Sequence, residues 1–268
     1  MALPGSSWLR LCGRSPQTNA VDPPPDSIVL RATALIELAE GHLEVEGDAT
    51  GPQTAWPMVG AALLTHATSS LRSIVFRLRP DGAHNDASRL LRSLYDHVVT
   101  FAWLAEDPPM RLALWRKEDL EERLKIHREF AAAGEQLLAD PDRRQMERDV
   151  ARLEGKAPDL ASKAAMADKH WIPRIDALQP RSLRSFRGFY TILFREQSGL
   201  VHATMRGLNY VTIDLAPPRK QVVLEGPLEG NGPYGMATVV YCIGLLVAAE
   251  SLGWPDGDEL ERIFARYP

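Results

Sequence analysis

The sequence predicts a mainly α-helical fold: a bundle of five or six long helices with one small β-hairpin near residues 208–225. Three observations predict it. Apolar positions recur at helical spacing between breaks marked by proline and glycine. Only the stretch around Leu208–Asp-Leu and Gln221–Glu225 switches to short β-type runs. At 268 residues, 45% hydrophobic and 25% charged, the chain is long enough for a sizeable core.

Residues 1–26, with Gly, Ser, Asn and Pro23-Pro24-Pro25, read as a mobile tail, and 27–268 as a single helical domain. Asp26 or Ser27 can cap a first helix from Ile28 to about Val45. After the Gly47–Pro52 turn, a long helix is expected from Thr54 to Leu78, with Pro57 in its first turn. Pro80-Asp-Gly is a turn, and Asn85 or Asp86 caps the next helix, 86–105, which stops before Pro108-Pro109. The segment 106–178 is strongly charged: Glu106 to Glu154 holds 13 acids and 10 bases of mixed sign, the signature of a solvated surface laced with ion pairs. A helix over 110–138 and weaker helical segments over 141–178 fill it. A helix over 186–206, the hairpin, an apolar helix over 235–252 and a short helix over 258–266 complete the chain.

The net charge of −4 excludes a globally basic nucleic-acid binder. Met1–Trp8 has no basic segment followed by an apolar run, so no signal peptide is expected. The apolar run Met236–Ala249 reads as too short to span a bilayer and as a core helix, or equally as a dimer seam. Cys12 and Cys242 lie in different contexts, so a disulfide is not expected and a reducing cytoplasm fits.

The most informative helix is 190–206. Wound at about 100° per residue, it is apolar except for one arc holding Thr191, Arg195, Ser198, Gly199, His202 and Arg206. Arg195 and His202 are seven residues apart, so they point the same way about 10 Å apart along the axis. His202 can move a proton near neutral pH, and Arg195 can hold an anion. The same residues also fit a buried polar network between two helices. On the 86–105 helix, Arg89, Arg92 and Asp96 share a face with Thr100 and Trp103, and Arg92 and Asp96 are spaced to pair. The functional reading places these three across a cleft from Arg195 and His202, with Tyr190 and Arg206 also lining it. The bland reading of Arg92 and Asp96 is an ion pair between helices. His97 points with leucines and reads as a core histidine.

From Lys169 to Arg206 there are seven basic residues and two acids, a local +5 (7 − 2). Arg181, Arg184 and Arg187 recur every third residue, near Phe186 and Tyr190 for stacking, as suits a phosphate backbone. A solvated arginine face is the plainer alternative. Gly230-Asn-Gly232-Pro-Tyr-Gly235 fits a dinucleotide fingerprint literally, but only some 33 residues follow it and no second strand is visible, so it reads as a loop. The seven histidines form no metal-ligand spacing; no metal and no cofactor is expected.

Arg195, six residues, then His202 resembles the R-x(4–6)-H signature of HEPN domains, which are all-helical nucleases. Arg92-Ser-Leu-Tyr-Asp96 together with Tyr190, Ser198 and His202 also resembles an uncharacterised bacterial helical family with an R-S-L-x-[E/D] helix and a later Ser/His helix. The second resemblance covers roughly residues 55–250, the first only the motif and its helix. The HEPN resemblance implies a metal-independent endoribonuclease of the kind found in toxin or antiphage defence systems, often dimeric, with RNA as partner and no membrane. His202 would then assist 2′-hydroxyl attack or leaving-group protonation and Arg195 would stabilise the phosphorane; Ser198, on the same arc, is a further catalytic candidate. The residue after the family's Arg is usually Asn, Asp or His, where this chain has Glu196. The alternative is a non-catalytic helical module that binds a protein or a nucleotide through the same cleft.

Overall fold

The computed structural model describes residues 25–43, 52–80, 83–175, 185–196, 212–214, 221–223, 232–254 and 257–266. The protein is mainly α. Among the described residues there are nine α-helices: α1 (Pro25–Leu43), α2 (Pro52–Arg72), α3 (His84–Glu106), α4 (Pro108–Ala132), α5 (Asp140–Arg152), α6 (Leu160–Ile175), α7 (Phe186–Tyr190), α8 (Gly232–Leu252) and α9 (Gly257–Arg266). α2 runs on into a π-helical stretch, Ser73–Leu78, and α7 into another, Thr191–Glu196. Strands β1 (Thr212–Asp214) and β2 (Gln221–Val223) pair antiparallel, with Ile213 opposite Val222.

Breakers set the helix ends. Pro25 and Pro52 each stand at a first helical position, where the missing N–H costs nothing. α2 therefore starts two residues earlier than its sequence suggests, and Pro57 falls in its second turn. Asp107 caps α4, its carboxylate accepting from Met110 N, with Pro108 and Pro109 filling the first turn. The charged helix expected over 110–138 ends at Ala132, where Gly134 adopts φ +87° and reverses the chain.

α3 is the hub, packing against α2, α6, α8 and the first part of α4. This position buries it on nearly every side over residues 98–104. Thr100 and Trp103, which the helical wheel places on a polar face with Arg92, are therefore core residues, 6% and 1% exposed.

α8 is apolar all round, and 14 of its 21 residues are buried. It is long and apolar enough to cross a membrane, but 67% of its most hydrophobic window is buried inside the fold. Of the two readings left open for it, core helix or dimer seam, its burial is that of a core helix. A close approach allows it. A Cβ on Gly244 would stand 3.2 Å from Val98 Cγ2 of α3. Tyr241 and Thr68 share a 2.6 Å hydrogen bond, which satisfies both hydroxyls where α8 meets α2. Cys242 is buried as a free thiol, and burial pushes its pKa up, so it stays protonated.

Candidate functional site

The site is built where α3, α6 and α7 meet. α7 is short, and its N-terminus is fixed from outside. Ser185 is its N-cap, its hydroxyl accepting from Gly188 N at 3.0 Å. The same hydroxyl donates to Asp168 Oδ2 of α6 at 2.7 Å. Asp168 then accepts from the backbone N–H of Phe186 at 2.6 Å and of Arg187 at 3.1 Å. One carboxylate thus takes two of the amides that a helix start leaves unpaired, and its charge suits the positive end of the helix. From the other side, the buried Tyr95 hydroxyl of α3 donates to Phe186 O at 2.6 Å. Burial pushes the Tyr95 pKa up, with Asp168, Tyr190 and Asp96 adding to the rise, so the phenol remains a donor.

This anchoring drives Phe189 and Leu193 into the core, 3% and 0% exposed. Tyr190 and Phe194, four residues apart, stack with centroids 5.0 Å apart, and Phe194 also meets Tyr95 at 5.7 Å with the rings tilted by 54°. Over the Phe194 ring lies the Arg92 guanidinium of α3, 4.3 Å from the centroid. Arg92 Nη1 is buried and has no hydrogen-bond partner among the described residues. A guanidinium held against an aromatic face with an unused N–H is a ready donor to an anion.

The structure brings together Arg92 and Tyr190, through Phe194, and separates the others. Arg92 and Asp96 form no ion pair; Asp96 is exposed, and its Oδ1 accepts from Thr100 at 3.4 Å. Phe194 has captured the guanidinium that the i, i+4 spacing assigns to Asp96. Arg89 is exposed and pairs with Asp86 at 2.9 Å rather than facing α7. Arg187 is exposed at the start of α7. Arg195 lies in the π-helical stretch, with its side chain outside the description. Ser198, His202, Arg206, Arg181 and Arg184 lie outside the described residues. His97 is half-buried; its Nδ1 donates to Ser93 O at 2.6 Å, and its ring stacks on His66. Among the described residues, no group of three His, Cys, Asp or Glu is arranged to hold a metal ion.

Sequence reasoning missed Asp168, Ser185 and Tyr95. Ser185 carries a local signal, a capping serine just before an apolar helical pattern. Asp168 and Tyr95 carry none, because their partners lie 18 and 91 residues away.

No curated protein and no solved structure matches the chain. A family model does match, over residues 58–216, a span that holds α3, α6, α7 and the whole Arg195–His202 segment. The chain belongs to DUF5677, a family of unknown function.

Proposed function

We propose that the protein is an RNA-acting, metal-independent endoribonuclease, with Arg195 and His202 as its catalytic pair and Arg92 as a phosphate ligand. The observation that carries this reading is the Arg92 guanidinium. It rests on Phe194 with Nη1 unpartnered, one residue from Arg195 in sequence at the Phe194 contact. A buried cationic N–H without an acceptor costs stability, which an anionic ligand recovers. In this chemistry the 2′-oxygen attacks phosphorus and the 5′-oxygen leaves. His202 carries the proton from one oxygen to the other, and Arg195 and Arg92 balance the charge of the phosphorane. The products carry a 2′,3′-cyclic phosphate and a 5′-hydroxyl.

The test is cleavage of total RNA with EDTA present. Wild type should cut and leave cyclic-phosphate ends, and His202→Ala should not. Arg92→Met should lose at least tenfold in RNA affinity while melting no lower than wild type, since it removes an unpaired charge. Arg92→Met that melts lower than wild type but binds RNA with wild-type affinity would make Arg92 structural and sink the reading.

The stacked Tyr190–Phe194 pair supports a second reading. Aromatic rings beside a guanidinium can hold a nucleotide without chemistry. The module would then bind RNA or nucleotide, and His202→Ala would leave affinity unchanged.

A further inference from the structure

We propose that α5 is an RNA-backbone surface, with Arg144, Arg148 and Arg152 as a phosphate-tracking stripe; this rests on the RNA reading above and names where the strand runs. α5 has no buried residue. It turns Arg143, Glu147 and Val150 toward α4, where with Leu124 and His127 they line a cleft of about 360 Å³. The stripe lies on the far side. On a helical wheel the arc of about 120° from Ala151 to Gln145 holds Arg144, Arg148, Pro141 and Arg152, and no acid. All three arginines are exposed.

Of the four carboxylates on α5, Asp140, Glu147 and Asp149 are engaged, and the exposed Asp142 lies outside the arginine arc. Arg143 holds Glu147 at 2.6 Å and Asp140 at 3.7 Å. Asp149 accepts from Gln145 at 2.9 Å and lies 3.6 Å from Arg116 of α4. Within the stripe, Arg148 donates to the side-chain Oε1 of Gln145 at 2.6 Å, and Arg152 approaches Asp149 at 3.8 Å with its side chain 73% exposed. Arg144 makes no ion pair among the described residues. The stripe therefore presents net positive charge in a chain of net −4.

Geometry favours a strand over a point anion. Residues four apart rise about 6 Å, so the stripe spans about 12 Å, the length over which a stacked strand presents three to four phosphates. Arginine presents a planar fork to phosphate oxygens. A membrane surface is disfavoured, because an interfacial helix needs an apolar face to sink into the lipid, and the side opposite α4 has none.

The experiment measures anisotropy of a fluorescein-labelled oligouridine against the full chain carrying His202→Ala, across a salt series. Adding Arg144→Gln, Arg148→Gln and Arg152→Gln should weaken binding at least tenfold at low salt. It should also flatten the log K against log[salt] slope by about 2, or about 0.7 per phosphate contact. The control, Arg123→Gln, Lys125→Gln and Arg128→Gln on α4, removes equal charge and should move the slope by less than half as much. Equal effects from both triples would reduce the stripe to net charge and overturn it, as would stripe-dependent binding to phosphatidylserine vesicles but not to RNA. If oligouridine binds and the α5 triple changes nothing, the stripe fails and the RNA reading stands. If oligouridine does not bind at any salt, both fail.

Discussion

Asp168 uses both carboxylate oxygens on the first turn of α7, and each bond is charge-assisted. Asp168→Ala should therefore cost about 2 kcal/mol, the combined value of a lost cap and lost bonds to an ion. Chemical denaturation measures this; a loss under about 0.5 kcal/mol would mean that Tyr95 alone holds α7. His170 of α6 behaves differently. Burial, and then Arg174, push its pKa below the ordinary histidine value, with Glu106 opposing. The unfolded chain thus binds this proton more readily than the folded one. Its contribution is fully present above about pH 6.5 and is lost as pH falls below that value. His170→Gln should lose less stability than wild type between pH 7 and pH 5. Parallel stability–pH curves for the two proteins would refute this.

Packing of α8 on α3 depends on Gly244, where a side chain has no room beside Val98. Gly244→Val adds branched bulk to a filled seam and should cost about 1–3 kcal/mol, measured by urea denaturation. Gly244→Val with undiminished stability would mean that the two helices can separate without penalty. α5 is an element of the opposite kind. It has no buried residue and touches the body through α4, toward which it turns Val150. Its helicity rests on local ion pairs such as Arg143–Glu147, each contributing a few tenths of a kcal/mol, and on its contact with α4. Substitutions along its outer face should leave the core's stability unchanged, which is why binding and salt dependence can be read there without interference from folding.

At the scale of the whole molecule, the mainly α architecture and the helix ends to within a few residues follow from the sequence, although the expected caps Asp26 or Ser27 and Asn85 or Asp86 lie inside α1 and α3. Helical periodicity, capping residues and proline or glycine breaks act within a few residues of where they stand. Thus Pro108-Pro109 marked the boundary between α3 and α4, and the apolar run of α8 left core helix and dimer seam equally open until its burial was seen. A helical wheel, by contrast, cannot say which arc meets a neighbour. Placing α3 at the centre buried Thr100 and Trp103, left Arg89 and Asp96 in solvent, and set Arg92 on Phe194. The anchoring of α7 by Asp168 and Tyr95 was equally unreadable, because no local pattern encodes a hydrogen bond across 18 or 91 residues. On α5, spacing alone reveals three arginines a turn apart; only its docking on α4 turns them outward and brings Arg116 to Asp149. Local backbone preference is set by neighbours along the chain, whereas burial and charge pairing are set by whichever distant elements the packed core brings alongside.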